Sequence, residues 1–251
     1  SQRRAACAAV PRMPSSHLAH ESARHRYVRQ EPEMPFDFEV VYEDAGIVVI
    51  DKPHFLATTP RGMWYRQSAL MRLRERFGEP DITPAHRLDR ATAGIVLFVR
   101  KPRLRRTYQM LFEHRNVDKR YECLAPSAPL VRPRYGTVTR LDPPAVFPLI
   151  RRSTIVKERG RLQAYERPGE VNAQTVIDLA GTCGAAEGVR RYALHPLTGK
   201  THQLRVHMNA LGLPIVGDEL YPRIVNPRYD DFSHPLLLVG RSFSCLFYPF
   251  D

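Results

Sequence analysis

Three short stretches of the sequence place charged side chains beside segments that should be rigid. In the first, His86-Arg87-Leu88-Asp89-Arg90 stands just before the apolar run 94–101. An aspartate flanked by two arginines is expected to stay ionised, because nearby positive charge favours the carboxylate. Such a carboxylate can act as a nucleophile or a general base. An ordinary Asp–Arg salt bridge at the entry to a strand would have the same charge spacing.

The second stretch, Lys119-Arg120-Tyr121, puts a tyrosine next to two cations at the start of a predicted strand. The ring can present a flat face to a nucleobase, while Lys119 and Arg120 bind phosphates. Taken alone, the pattern fits a core tyrosine equally well.

The third stretch, Leu197–His207, opens a predicted helix with many hydrogen-bond donors, among them Lys200, His202 and Gln203. A polar helix start suits an anion or a sugar–phosphate backbone. Arg205 lies off the apolar stripe of this helix and can reach a buried carboxylate. A solvated helix face is the alternative interpretation.

Several common catalytic motifs fail in this sequence. Gly199-Lys200-Thr201 resembles the end of a phosphate-binding loop, but Leu194 stands where such a loop requires glycine. His202 and His207 are five residues apart, whereas two ligands on one helical face need a spacing of four. The four cysteines form no C-x-x-C pair, and no G-x-S-x-G elbow is present. We therefore predict no metal site and no nucleotide-binding loop.

The chain is strongly basic. Its 251 residues include 38 Lys and Arg against 26 Asp and Glu, which gives a formal net charge of +12. Such a surplus favours an anionic partner, most often nucleic acid. It does not by itself separate RNA from DNA, phospholipid or a ribosome surface, nor an enzyme from a binding protein.

The elements that position these stretches are mostly strands. Strands are predicted at 38–44, 46–53, 94–101, 120–125, 173–179 and 189–194. Helices are predicted at 67–77, from Pro102 onward, and at 201–211 with Thr201 as its cap. The proline-dense segment 126–148 is expected to be a surface excursion. Strands outnumber helices and some connections are short, so we predict an α+β fold with a mixed, mainly antiparallel sheet rather than a doubly wound fold.

Residues 1–35 lack periodicity and predict a flexible basic arm, which either binds phosphates or has no role. Residues 36–251 are predicted to form a single domain, since 43% of the chain is hydrophobic. The longest apolar runs are far shorter than the roughly twenty residues of a membrane-spanning helix, and residues 1–30 lack the apolar centre of a secretory signal. We predict a cytoplasmic protein with reduced cysteines.

Together the three stretches are more specific than each one alone. The sequence resembles the RluA family of pseudouridine synthases, which isomerise specific uridines in ribosomal or transfer RNA. The matching blocks are VVIDKP (48–53), HRLDRATAG (86–94), KRYECL (119–124) and HPLTGKTHQLRVHMNALGLPIVGDELY (195–221). The sequence departs from the family at Ala93, where Ser is common, and at Lys200, where Arg is frequent.

The resemblance implies a sheet with flanking helices and loops around a basic cleft, with no metal ion and no organic cofactor. Asp89 matches the aspartate on which pseudouridine synthases depend. Tyr121 matches the aromatic residue that packs against the target uracil, and Arg205 the basic residue that pairs with the catalytic carboxylate. The expected RNA-binding residues are His86, Arg87, Arg90, Lys119, Arg120, Lys200, His202 and Gln203, with Arg87 filling the gap left by the flipped base.

The prediction is therefore an RNA pseudouridine synthase that flips uridines out of large-subunit rRNA or tRNA. A compact stem-loop substrate is favoured, because no added RNA-binding domain is recognisable, and a monomer is the default. The alternative is a catalytically inactive RNA-binding protein or RNA chaperone on the same fold. A basic DNA-binding module lacks any recognisable helix-turn-helix or finger.

Overall fold

One mixed β-sheet organises the fold. The computed structural model describes residues 31–181, 188–225, 228 and 230–245. Its strands are β1 (Glu39–Glu43), β2 (Ile47–Lys52), β3 (Thr83–Pro84), β4 (Ala93–Val99), β5 (Val117–Pro126), β6 (Thr137–Arg140), β7 (Leu149–Val156), β8 (Tyr165–Arg167), β9 (Ala173–Leu179), β10 (Val189–Pro196) and β11 (Leu238–Cys245). Its helices are α1 (Ala69–Phe77), α2 (Pro102–Glu113) and α3 (Gln203–Ala210).

The strands follow the order β1-β2-β4-β11-β5-β10-β9-β7-β6, with β3 paired to β4 and β8 to β7. Within the described residues, β4 and β11 run parallel and the other pairs are antiparallel. The predicted α+β fold with a mixed, mainly antiparallel sheet is confirmed. The parallel pair lies in the middle of the sheet, next to the strand that carries Tyr121.

Two glycines allow the central strands to approach closely. Gly94 of β4 has φ +122°, and a Cβ atom there would lie 2.1 Å from the carbonyl oxygen of Gly240 in β11. At Gly240 a Cβ atom would lie 3.2 Å from the ring of Tyr121. Glycine is therefore required at 94, and at 240 it leaves room for the tyrosine ring.

The helices begin and end for identifiable reasons. Ser68 caps α1 through a hydrogen bond from Met71 N–H, and Gly78 ends it in the left-handed conformation with φ 65°. Pro102 opens α2, as predicted. The predicted Thr201 cap of α3 is wrong, because the N-cap position is held by His202 with φ 56° and no side-chain cap bond.

Some elements differ from the sequence prediction. The strands predicted at 173–179 and 189–194 are confirmed as β9 and β10. The excursion at 126–148 contains the short strand β6, and the prediction missed β7 and β11. Contacts begin ahead of Phe36, since the Glu31 carboxylate accepts hydrogen bonds from three backbone N–H groups at residues 65–67. Residues 1–30 of the predicted arm lie outside the described part of the chain.

Two hydrophobic clusters form the main core. One gathers buried residues of β2, β4 and α1, such as Ile50, Phe98 and Leu73. The other gathers residues of β7, β9, β10 and α3, such as Leu194 and Met208. The ring of Tyr121 packs against both clusters. In the described residues no helix is long and apolar enough to cross a membrane.

Candidate active site

A cleft of about 760 Å³ is lined by side chains from several separate parts of the chain. Most of its lining residues lie in the segment 57–64, the loop 85–92, the end of α2, the start of β5 and the segment 196–205. Ten of the eleven predicted site residues line it, Arg120 being the exception. The fold thus brings together three stretches that are far apart in sequence.

The loop that carries Asp89 is fixed by hydrogen bonds from the segment after β2. The Thr58 hydroxyl donates to the carbonyl of Leu88 at 2.9 Å. The ring nitrogen Nδ1 of His54 lies 2.8 Å from the carbonyl oxygen of Ala91. Thr92 N–H donates to the carbonyl of Asp89 at 3.0 Å and closes the turn. The position of the aspartate is therefore set by backbone contacts on both sides of it.

Lys52 lies beneath this loop and is fully buried. Its ammonium group donates to the carbonyls of Pro53 and Leu56 at 2.9 and 2.8 Å, and more weakly to that of Arg90 at 3.4 Å. Burial lowers the pKa of Lys52 to about 7, and the Asp89 carboxylate acts in the opposite direction. This residue belongs to the VVIDKP block, but nothing in that block predicts that it lies near Asp89.

The Asp89 carboxylate faces two basic side chains across the cleft. Its Oδ2 atom lies 3.9 Å from an Arg205 terminal nitrogen and 3.8 Å from His202 Nε2. About a third of the Asp89 side chain is exposed, so a ligand in the cleft can reach it. Neither neighbouring arginine forms an ion pair with Asp89 in the described part of the chain. Arg205, rather than Arg87 or Arg90, is the cation closest to the carboxylate.

Arg205 is held by a second carboxylate, Asp218. Its Nε and one terminal nitrogen donate to the two Asp218 oxygens at 2.8 and 2.6 Å. The Asp218 side chain is fully buried and also accepts hydrogen bonds from the backbone N–H groups of Leu220 and Tyr221. Burial by itself would lower the pKa of Arg205. The hydrogen bonds and the negative charge of Asp218 outweigh burial and raise that pKa. This bidentate pair fixes the guanidinium plane and directs the remaining nitrogen toward Asp89.

Hydrogen bonds determine which nitrogen of His202 carries the proton. The Tyr221 hydroxyl donates to the carbonyl of Ala164 at 2.8 Å, so it accepts from His202 Nδ1 at 3.0 Å. In the neutral ring, Nε2 then presents its lone pair toward Asp89. Burial lowers the pKa of His202, against the opposing effect of the Asp89 charge. His202 also has a positive φ of 56°, which is unusual for a residue with a side chain.

Tyr121 lies on the sheet beneath the cleft. Its ring covers Gly240, and the residue is partly buried between the two hydrophobic clusters. Burial, and to a lesser extent the Asp89 carboxylate, raises the pKa of Tyr121 to about 12. The phenol therefore stays protonated at neutral pH and offers a flat apolar surface in the cleft.

The predicted RNA-binding cations are distributed around the cleft. Arg87 and Lys200 are exposed at its edge, and Lys119 is half-buried next to the carbonyl of Thr198. Arg90 lies 5.6 Å from the ring centre of Trp64, in a cation–π contact. These charges make the cleft basic.

His86 lies at the cleft but is tied into the structure. Its ring stacks on Phe112 with centroids 4.2 Å apart, and Nε2 accepts the backbone N–H of Leu97 at 3.2 Å. Burial lowers the pKa of His86 to about 3, so the ring is neutral. An RNA contact for this residue stays a prediction.

Two residues of the RNA-binding prediction differ in their setting from the other residues of that prediction, and an RNA contact for either stays a prediction. Arg120 points to the opposite face of the sheet, because side chains alternate along a strand and Tyr121 faces the cleft. Gln203 is buried. Its side-chain oxygen accepts hydrogen bonds from the Thr198 hydroxyl and Lys200 N–H. Its side-chain nitrogen donates to the Gln174 carbonyl and the Thr175 hydroxyl. All its hydrogen-bonding capacity is used in fixing the turn before α3.

Sequence reasoning also missed several residues that line or support the cleft. They are Lys52, Trp64, Leu162, Asp218 and Tyr221. The requirement of Arg205 for a buried carboxylate was a usable signal for Asp218. Trp64 and Leu162 come from loops without a motif.

Comparisons with known proteins identify the family of the chain. A family model described as RNA pseudouridylate synthase matches residues 46–210. A dual-specificity RNA pseudouridine synthase RluA of Pasteurella multocida is 32% identical over 225 residues, which is 82% of this chain and 91% of that protein. The RluA protein of Haemophilus ducreyi is 34% identical over 218 residues, covering 84% and 87%.

Solved structures show the same fold. The human RNA pseudouridylate synthase domain containing 1 superposes with a TM-score of 0.55 at 24% identity, covering 88% of this chain and 87% of that one. The human domain containing 4 gives the same TM-score at 23% identity, covering 81% and 82%. The chain therefore has the fold of the pseudouridylate synthase domains.

The family match and the RluA relatives show to which family of pseudouridine synthases the chain belongs. The chain belongs to the RluA family of RNA pseudouridine synthases. It is an isomerase with an RNA substrate, as the sequence predicts.

Proposed function

We propose that this chain converts specific uridines of rRNA or tRNA into pseudouridine, with Asp89 as the catalytic residue and Tyr121 and Arg205 as its partners. The observation that carries the proposal is the accessible Asp89 carboxylate, 3.9 Å from a guanidinium that a second buried carboxylate fixes in place. The relatives named dual-specificity RNA pseudouridine synthase support an RNA substrate and more than one target for enzymes of this kind.

The reaction exchanges one bond to the ribose for another. The bond between ribose C1′ and uracil N1 breaks, the base turns, and C1′ joins C5. The C5 proton leaves and N1 gains a proton, so no electron carrier is required. Asp89 can attack the sugar, attack C6 of the base, or remove the 2′-proton, and each of these needs an ionised carboxylate.

Arg205 keeps a positive charge beside that carboxylate when RNA excludes water from the cleft. In a less polar surrounding the ion pair becomes stronger, because fewer water dipoles screen it. Asp218 prevents the guanidinium from collapsing onto Asp89, since two of its nitrogens are already bonded. Asp89 thus stays accessible to the nucleotide.

Tyr121 retains the detached uracil during its rotation. A protonated phenol ring packs on the flat face of a base and holds it after the glycosidic bond is broken. Because its pKa is about 12, the phenol must pass on its own proton before it can accept one from C5.

The substrate base must leave its stack before it reaches Asp89. Flipping costs a few kcal/mol, less from a loop than from a helix, and phosphate contacts at the basic edge of the cleft offset it. A stem-loop fits these needs, and in this proposal Arg87, which is exposed at the cleft edge, fills the gap left by the flipped base. We further propose that residues 36–251 act as a single catalytic domain, as a monomer, in the cytoplasm.

The test is tritium release from RNA labelled at C5 of uridine, with tRNA and large-subunit rRNA supplied separately. The proposal predicts release from at least one class, and mapping of pseudouridine positions in cells with and without the gene then identifies the site. An inactive RNA-binding protein on this fold would bind both RNAs and release no tritium. That outcome would overturn the proposal.

A further inference from the structure

The surface next to the cleft continues along helix α2. Gln109 and Glu113 of this helix line the catalytic cleft and also line a second, open depression of about 490 Å³. Arg105, Arg106 and His114 form the rest of the charged lining of that depression. The two depressions therefore share a border, and a molecule in the cleft can extend over α2.

Positive charge is concentrated on this part of the chain. Residues 101–120 contain seven Lys and Arg against two acids, whereas residues 31–100 contain more acids than bases. No residue of α2 is fully buried. Helix α2 itself carries three of these cations, Arg103, Arg105 and Arg106, against one acid, Glu113, and cations clustered along a helix are the electrostatic pattern of a phosphate-binding surface.

The arginines of α2 differ in whether a carboxylate neutralises them. Arg105 is bonded to the side chain of Asp81 at 2.8 Å. Arg103 and Arg106 are exposed and form no ion pair with any described residue. Their charges are thus available to an anionic partner, while that of Arg105 is compensated.

Helical geometry aligns the available charges. The apolar side of α2, with Leu104 and Tyr108, packs against the sheet. Arg103, Arg106 and His114 lie on the opposite side, within about 90° of one another around the axis, and span about 17 Å along it. The two guanidiniums lie about one helical turn apart on this face, a spacing that suits neighbouring phosphates of one RNA strand, and His114 extends the polar face toward the end of α2.

We propose that the exposed face of α2 is a second RNA contact, which binds the sugar–phosphate backbone of the stem next to the flipped uridine. The inference rests on the proposed function, because it takes the RNA in the cleft as the same molecule. Its role is to supply binding free energy that offsets base flipping without reading sequence.

The test compares two double variants on a stem-loop RNA that the wild type modifies. Arg103→Gln with Arg106→Gln removes the available charges of α2. Arg140→Gln with Arg167→Gln removes two exposed arginines from β6 and β8, which do not line the cleft. Both variants lose two positive charges. A difference in RNA binding between them is therefore due to where the charges lie on the surface and not to the net charge.

For the α2 variant, the slope of log Kd against log salt concentration should fall by about 1.5, since each lost phosphate contact removes roughly 0.7–0.9. The control should change the slope little. Shortening the stem should weaken wild-type binding more than binding by the α2 variant, while tritium release at saturating RNA stays unchanged.

Equal slopes for the α2 variant and the control would overturn the inference. An α2 variant that binds normally but releases tritium slowly at saturation would also overturn it, because α2 would then act on the chemistry. A failure of the proposed function itself looks different: the wild type would release no tritium from any RNA.

Discussion

Replacing Asp218 by asparagine should leave the guanidinium of Arg205 buried without a counter-charge. The carboxylate is fully buried and accepts four hydrogen bonds, two from Arg205 and two from backbone N–H groups. Asparagine keeps the shape but turns one acceptor oxygen into an amino group, which faces a donor. At least one of the four bonds must then be lost, along with the charge.

The size of the effect follows from this burial. Removing one partner of a buried ion pair costs about 3–5 kcal/mol. For a domain of this size, each kcal/mol lowers Tm by about 2–4 °C, so Asp218→Asn should lower Tm by about 6–20 °C. Urea unfolding should show the same loss in the free energy of unfolding. Arg205 should also turn to Asp89, the nearest remaining carboxylate, so turnover falls more than RNA affinity.

A matched double variant separates stability from catalysis. Asp218→Leu with Arg205→Met replaces the pair by apolar side chains of similar volume, which often restores the stability of a buried pair. That variant should regain most of the lost Tm and remain inactive. A loss below about 2 °C for Asp218→Asn, or a double variant as unstable as the single one, would refute the reasoning.

Three further predictions concern single positions. Tyr121→Leu should slow tritium release about 5- to 150-fold with little change in RNA affinity, since one base-stacking contact contributes about 1–3 kcal/mol; an affinity loss with normal turnover would contradict this. Gly94→Ala should cost about 3 kcal/mol or more in urea unfolding, because its Cβ atom would meet the Gly240 carbonyl. Gly78→Ala, with φ 65° and open space, should cost only about 1–2 kcal/mol. Burial, aided by the Arg151 charge, lowers the pKa of His207 to about 3. The folded protein therefore holds the neutral imidazole, and this contribution to the free energy of unfolding is complete above the pKa of histidine in the unfolded chain. The contribution is lost as the pH falls below that value. Between about pH 6.5 and 5 this loss should reach about 2 kcal/mol, and His207→Gln should remove that part of the pH dependence in unfolding curves.

Local signals were enough to predict the elements that depend on neighbouring residues. Ser68 and Gly78 frame α1 within two residues of the prediction, because caps act through contacts inside one turn. The apolar run 94–101 predicted a strand buried on both faces, and β4 is nearly all buried. These features need no knowledge of the rest of the chain.

The pairing of strands that are distant in the chain could not be predicted from the sequence. The pattern of β11 alternates weakly and contains Gly240, yet this strand lies in the centre of the sheet between β4 and β5. The sequence indicates that Arg205 needs a carboxylate partner, but it does not indicate that Asp218 is this partner. The turn at 215–221, which carries Asp218, is positioned by contacts with residues 124 and 235–237, which are distant in sequence. In the candidate site, the resemblance supplied Asp89, Tyr121 and Arg205, and strand alternation alone would have placed Arg120 on the face of the sheet opposite Tyr121.

The most direct measurement compares catalysis with binding in Asp89→Asn. The substitution removes the negative charge with almost no change in shape, and the loop 85–92 keeps the hydrogen bonds from Thr58 and Thr92. Tritium release should fall to background, while the Kd for the stem-loop RNA stays close to that of the wild type. Undiminished release from this variant would show that another group does the chemistry.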